Sequence, residues 1–251
     1  MPAPAPRRGR LACRAHKHAI VSRGISLVLL CSAGTACAQF SATASIVSDY
    51  RYRGVSLSDN EPAGQVGVNY DSQQGVYAGA FVSTVEQATY ETHGVQAIAF
   101  AGYAWRLPSG LSLEAGADYT VVTAAPRFDY PEVYAGFAFQ NLSGRLYYSL
   151  RYFGQDSPAV YAELDLAQPL RDNVYLLAHV GFLASNAKSP YPGPYGHTTS
   201  STVDGAVGIG LTWEGFSLQL SWVGINQASP AYGVAGSVNR NGVVASLSRA
   251  F

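Results

Sequence analysis

Cysteine does not occur after position 37, and the single methionine is Met1. A disulfide scaffold, thiolate chemistry and a cysteine-ligated zinc site are thereby excluded for the body of the chain. Charge is scarce, with Asp, Glu, Lys and Arg making up 13% of the residues. No uninterrupted apolar run approaches the roughly 20 residues of a membrane helix. No acidic residue precedes Asp49, whereas Arg7, Arg8, Arg10, Arg14, Lys17 and Arg23 crowd the start. From residue 39 onward 10 Lys+Arg stand against 16 Asp+Glu, a net charge of −6. An acidic product without a basic stripe argues against nucleic acid as a partner.

The N-terminus has the layout of an export signal. A basic stretch over 7–17 is followed by a mostly apolar run over 19–30, and Ala36-Cys37-Ala38 supplies a small-x-small cleavage pattern. The expected division is a cleaved signal at 1–38 and one domain at 39–251. Arg7-Arg8 could open a twin-arginine signal, but the residues after it do not continue one. Cys37 could be a lipidated cysteine, but Gly34 stands where such motifs usually carry leucine.

The body of the chain alternates apolar and polar residues with the strand period of two. Leu111, Leu113, Ala115, Ala117 and Tyr119 alternate with Ser112, Glu114, Gly116, Asp118 and Thr120. Phe216, Leu218, Leu220 and Trp222 alternate with Ser217, Gln219 and Ser221, and the same pattern recurs at 146–152 and 160–166. Twelve strands are predicted: 41–53, 63–71, 76–84, 95–106, 111–123, 132–140, 145–153, 159–167, 173–185, 204–213, 216–225 and 242–251. The facing of 76–84 and 95–106 is ambiguous. All ten prolines after position 38 fall in connections or just outside strand interiors. Tight turns at 72–75, 107–110, 141–144, 168–172 and 214–215 alternate with connections that are longer on average, notably 85–94, 186–203 and 226–241. An even number of strands with this alternation predicts an all-β fold: a closed antiparallel transmembrane β-barrel in an up-and-down meander, short turns periplasmic and longer loops extracellular.

On the predicted outer face, Tyr70, Tyr103, Trp105, Phe139, Trp213, Phe216 and Phe251 mark the periplasmic ends of strands. Tyr50, Tyr52, Tyr119, Tyr152, Phe182 and Trp222 mark the other ends. Two aromatic girdles around an apolar band result. A soluble lipocalin-like barrel or sandwich is the rival. It would need a bulky interior, whereas the opposite face carries Gly67, Gly102, Gly116, Gly136, Gly181, Gly208 and Gly210. These glycines favour an open or partly open lumen. A spanning sheet must close, because lipid offers no water to free backbone groups.

The run from Val47 to Ala63, with Ser48-Asp49-Tyr50, Arg53-Gly54, Ser56 and Pro62-Ala63, carries a resemblance, joined by Gly75-Val76-Tyr77-Ala78-Gly79 and Ala101-Gly102-Tyr103. It resembles the proteobacterial Gcw_chp family, whose members are labelled TorF-type porins. The resemblance is strong over the first third of the domain; the later strands match in pattern and spacing. It implies an outer-membrane barrel acting as a pore and supplies no catalytic residues. The terminal Phe251, with Leu247 on the same face, resembles the recognition signal of the barrel-assembly machinery. Arg249 departs from it, standing where an apolar residue is usual.

The expected function is a porin-like channel in the bacterial outer membrane, passing small hydrophilic solutes or ions. Lipid, those solutes and the assembly machinery are the expected partners, and a homo-oligomer remains open. Candidate pore-lining residues are Asp49, Arg51, Arg53, Glu114, Asp118, Arg151, Glu163, Asp165 and His179, with Asp71 as a further inward charge. Arg51 and Arg53 toward the outer mouth would attract anions, and Glu163 and Asp165 would favour cations. The bland alternative is that these charges pair with one another and close the barrel, which then acts structurally or as a receptor through its loops, such as 186–203 with its Pro- and Tyr-rich centre. An outer-membrane hydrolase is the third reading. It has only His93, His179 and His197 to draw on, with no Gly-x-Ser-x-Gly or His-Glu-x-x-His run. No catalytic residue, cofactor or metal is therefore assigned.

Overall fold

A computed structural model of the chain describes residues 39–87, 92–123, 126–154, 157–185, 200–226 and 241–251. The predicted signal at 1–38 lies outside these residues, as do His197 and most of the predicted long loop at 186–203.

Twelve antiparallel strands form a closed barrel. In chain order the wall consists of β1 (Gln39–Val47), β4 (Ala63–Asp71), β5 (Val76–Gln87), β6 (Thr92–Arg106), β7 (Leu111–Val122), β8 (Tyr130–Phe139), β9 (Leu142–Ser149), β10 (Ala159–Arg171), β11 (Val174–Ser185), β12 (Ser200–Trp213), β13 (Phe216–Ile225) and β14 (Asn241–Ala250). Two short strands between β1 and β4, β2 (Arg51–Tyr52) and β3 (Val55–Ser56), pair only with each other. The meander closes where β1 meets β14, from Thr43 opposite Ala250 to Val47 opposite Ser246. Phe251 extends the seam by donating its N–H to the Ala42 carbonyl at 2.9 Å. Closure leaves the wall without an edge, which a spanning sheet requires.

The strand pattern places apolar side chains outward. Val66, Val68, Leu113, Val133, Leu146, Leu164, Val207, Ile209, Leu218, Leu220 and Leu247 are all exposed. Aromatics flank this band. Phe40 meets Tyr70 with ring centroids 5.0 Å apart and Tyr103 meets Trp105 at 4.8 Å at the short-turn end, while Tyr119, Phe182 and Trp222 are exposed toward the other. A continuous apolar belt of this extent is untenable in water and suits lipid. Arg249 also fits here: its guanidinium lies 4.8 Å from the centre of the Phe216 ring and 5.5 Å from that of Phe251, in cation–π range.

The short turns are tighter than predicted in two places, with Gln140-Asn141 and Asp172-Asn173 as two-residue links. Glu214 and Gly215 both have positive φ, as the type I′ hairpin turn demands. Pro131 and Pro169 lie inside β8 and β10. The register of β10 against β11 shifts just after Pro169, where no N–H is available to the ladder.

Three aromatics depart from the predicted girdle. Tyr50, Tyr52 and Tyr152 are buried inside the molecule. The strand predicted over 41–53 ends at Val47, and the one predicted over 145–153 ends at Ser149. In both places the chain leaves the wall, so alternation no longer reports which face a residue takes. The predicted roominess of the inner face is also corrected. A Cβ at Gly116 would stand 2.5 Å from the Tyr134 hydroxyl and 2.6 Å from the Ala101 carbonyl; one at Gly102 would stand 2.5 Å from the Tyr77 hydroxyl. Gly102, Gly116 and Gly181 make room for Tyr77, Tyr134 and Tyr161 of neighbouring strands. The interior is bulky along much of the wall, and the exposed apolar belt is what excludes a soluble barrel.

The lipid-facing assignment is testable in one strand. Leu220→Arg, in the middle of β13, should cost about 2–4 kcal/mol of folding free energy in bilayers, while an arginine near the interface costs about 0–1. Urea unfolding of Leu220→Arg and Trp213→Arg should separate them in that order; equal costs would contradict the face assignment.

Candidate functional site: a lumen with two unlike walls

The site begins where β1 ends. Ser48 and Asp49 leave the wall, and residues 48–62 fold back into the barrel as a small hairpin. Asp49 organises it, accepting from Arg51 Nε at 2.6 Å and from the Ser56 hydroxyl at 2.6 Å. The Tyr50 N–H donates to Ser58 Oγ at 2.8 Å, and the Leu57 N–H donates to the Tyr50 carbonyl at 2.7 Å. Arg53 (φ 49°) and Gly54 (φ 80°) form the tip, both with the positive φ of a tight hairpin turn. A Cβ at Gly54 would stand 2.6 Å from the Asp204 Cβ of β12, so only glycine lets the tip seat against that wall.

Tyr50, Tyr52, Val55 and Leu57 of the hairpin join one buried apolar cluster with Ile98, Val122, Phe128, Tyr130, Phe153 and Ile225. Tyr50 OH donates to Gln96 Oε1 at 2.6 Å, and Tyr52 and Tyr130 hydroxyls meet at 2.9 Å. Burial pushes the Tyr50 phenol up, so it remains a neutral donor at physiological pH. Arg53 reaches β8, where Nη1 and Nη2 donate to the two Glu132 oxygens at 3.1 and 2.6 Å. Its guanidinium is 4.3 Å from the Tyr161 ring centre, 5.0 Å from those of Tyr52 and Tyr147 and 5.1 Å from that of Tyr152. Burial disfavours the Arg53 charge, but Glu132 and the surrounding tyrosines outweigh it and hold its pKa above the ordinary arginine value. Arg51 and Arg53, expected to attract anions from the outer mouth, are instead matched by Asp49 and Glu132.

Below the hairpin two hydrogen-bonded groups follow the wall, one from β5 to β10 and one from β10 to β12. Tyr77 OH donates to Glu114 at 2.7 Å and meets the Tyr134 hydroxyl at 2.9 Å. Arg145 pairs with Glu114 through Nε and Nη2 and also reaches the Tyr147 hydroxyl at 3.3 Å. Tyr147 OH donates to Glu163 at 3.2 Å. On β11, His179 Nδ1 lies 2.8 Å from Asp165 and Nε2 lies 3.0 Å from Asp204, with the Tyr161 hydroxyl 3.2 Å from Nε2. Glu163, Asp165 and His179 bring one ligand atom each within 4.8 Å of one another. A metal there would have to displace a carboxylate from one of the histidine nitrogens.

The opposite wall is different. The inward residues of β12, β13, β14, β1 and β4 include Gly208, Gly210, Ser217, Gln219, Ser221, Ser246, Ser248, Ser45, Gln65 and Gly67, all small or uncharged. Gln219 Nε2 is buried without a hydrogen-bond partner among the described residues. Between the two walls lies a cavity of about 90 Å³, bounded by Gln65, Gln219, Ser221 and Ser246 on one side and by Asp49, Arg51, Arg53, Tyr161, His179 and Asp204 on the other.

Of the predicted candidates, Asp49, Arg51, Arg53, Asp118, Glu163 and Asp165 are buried inside, and Glu114 and His179 lie partly buried beside them. Arg151 is corrected: it follows the end of β9 and is exposed. The inward arginine of that strand is Arg145. Asp71 pairs with Arg106 at 2.6 Å at the short-turn end. Glu132, Arg145 and Asp204 were not among the candidates, although alternation places each on the inner face: Arg145 shares the parity of Tyr147, Glu132 that of Gly136, and Asp204 that of Gly208. His93 is exposed on β6, 3.5 Å from Glu86.

A closed barrel with an apolar girdle outside and a polar, charge-lined interior is a porin-like transmembrane β-barrel. More particularly, the chain belongs to the bacterial family of unknown function Gcw_chp, whose pattern matches residues 32–251. No curated protein matches it. Its fold is similar to that of the KdgM porin, with a TM-score of 0.50 at 12% identity over 84% of this chain and 99% of that one. LpxR from Salmonella typhimurium (TM-score 0.43, 8% identity, 84% and 99% covered) and the outer membrane channel DcaP of Acinetobacter baumannii (0.41, 8%, 88% and 99%) are also similar. At such identities the likeness is one of fold.

Removing one partner of a buried pair costs about 3–5 kcal/mol when the other charge is left behind. Glu132→Gln should therefore loosen the hairpin, read as faster proteolysis within 48–62 while the barrel still resists boiling in detergent. Unchanged protection of the segment would show that the pair does not hold it in place.

Proposed function

We propose that the protein is an outer-membrane channel passing small hydrophilic solutes, cations before anions, along a lumen narrowed by the 48–62 hairpin. The observation that carries this reading is the pairing of a small polar wall with a charged one. Short side chains along β12–β14, β1 and β4 leave a polar path, and the facing wall gives that path its sign. Glu114, Asp118, Glu132, Glu163, Asp165 and Asp204 face inward on the strands, against Arg145 and His179. Rings and rows of carboxylates favour cations in a pore. Leu247 and Phe251 on the outer face would serve recognition by the barrel-assembly machinery, and residues 1–38 would be the export signal removed on the way.

A closed barrel that works through its outer loops is the second reading. It draws on the buried hairpin and on the extent to which the interior charges pair. A hydrolase finds less support, since the inward histidine is engaged by two carboxylates and a tyrosine.

Planar-bilayer recording of the refolded 39–251 chain tests the channel. Defined conductance steps should appear with a reversal potential favouring K⁺ over Cl⁻. Glu163→Gln with Asp165→Asn should lower that preference, on the order of twofold. A folded barrel that stays silent would overturn the channel and leave the closed reading.

A further inference from the structure

Arg53 is lodged in the lumen as a ligand would be. Its guanidinium makes a bidentate pair with Glu132 on β8, at 2.6 and 3.1 Å, and is faced by aromatic rings 4.3 to 5.1 Å away. Three of the four rings belong to the wall and its edge: Tyr147 on β9, Tyr152 just after β9, and Tyr161 on β10. The receiving box is thus built by parts of the chain remote from the hairpin, and Arg53 enters it from a short, separately hydrogen-bonded segment. The wall holds the box rigidly. Tyr147 donates to Glu163 and accepts from Arg145, and Tyr152 packs edge-on to Tyr130 with ring centroids 5.0 Å apart. The box also opens on the cavity between the two walls, which Arg53 and Tyr161 both border.

We propose that Glu132, Tyr147, Tyr152 and Tyr161 form a binding site for the guanidinium group of a solute, and that Arg53 fills it as a built-in stand-in until the hairpin withdraws. The chemistry is specific to this cation class. A planar guanidinium presents two parallel N–H donors to one carboxylate, and its faces stack on aromatic rings. A desolvated cation over several rings gains more than one at the surface. An anion is repelled by the carboxylate, and a neutral sugar brings no charge to the ion pair or to the cation–π contacts. In this arrangement the solute competes with Arg53, so entry of the right cation and displacement of the hairpin are the same event.

The inference rests on the channel reading for its biological role, but the site can be tested without conduction. Methylguanidinium chloride is the probe, titrated by calorimetry into the refolded, detergent-solubilised 39–251 chain. The Arg53→Ala barrel should bind it with a dissociation constant in the millimolar range or tighter, the wild-type barrel at least about tenfold more weakly because Arg53 occupies the box, and Arg53→Ala with Glu132→Gln not at all. Arg53→Met, which keeps the volume and drops the charge, takes the place of the alanine variant should that chain fail to refold. In bilayers, methylguanidinium should block the Arg53→Ala current at concentrations at least about tenfold lower than those that alter the wild-type current. A folded Arg53→Ala or Arg53→Met barrel that shows no binding, or binding that survives Glu132→Gln, overturns the site even where currents are normal. Binding by a barrel that passes no current leaves the site standing and removes the channel.

Discussion

In lipid every backbone N–H and C=O must find a partner within the sheet, and that requirement shapes everything else in this barrel. It forces β1 to meet β14 and leaves no free edge. With twelve strands the enclosed space is then given. It is too narrow to be a wide aqueous channel and too wide to be filled by the small residues that dominate half of its wall. Something must occupy it, and the 48–62 hairpin does so.

The hairpin brings Asp49, Arg51 and Arg53 into a polar but crowded interior, where an unmatched charge is expensive. Arg51 is matched locally by Asp49, so the hairpin carries part of its own compensation. Arg53 is matched by Glu132 from the wall, an ion pair between the inserted segment and the barrel that adds to the Tyr50–Gln96 and Tyr52–Tyr130 hydrogen bonds. The tyrosines around it contribute in two ways, offering ring faces to the cation and hydroxyls to the carboxylates. Among the described residues most interior charges are paired, in several separate groups. Such pairing gives definite geometry, and the charged wall meets a solute where it faces the small-residue wall and in the box that Arg53 fills.

Sequence reading located the barrel well because its signal is local and repeated. The pleat puts successive residues on opposite faces, so alternation in Leu111–Val122 or Phe216–Ile225 reports the strand and its facing at once. The same parity was enough to place Glu114, Asp118, Glu163, Asp165 and His179 inside, and it would have placed Arg145, Glu132 and Asp204 there too. It misled at Tyr50, Tyr52, Tyr152 and Arg151, where the chain had already left the wall. Alternation continues through a short inserted hairpin just as through a barrel strand. The clue was Arg53-Gly54, a pair suited to the positive φ of a tight turn. The inward glycines misled for a related reason: a glycine says that space is needed at its position, but not whether solvent or the tyrosine of a neighbouring strand fills it.

The sequence by itself determined the strands, their two faces, the apolar belt with most of its girdles and the acidic bias of the interior. These follow from a period of two and from the transfer free energies of side chains, both properties of short stretches of chain. Tertiary structure alone decided that residues 48–62 enter the lumen, that Arg53 finds Glu132 some 79 positions away, and that one wall is crowded while the other is bare. Those outcomes depend on which strands face each other across a closed circle. That distance is set by strand number and register around the whole barrel, and no local pattern encodes it.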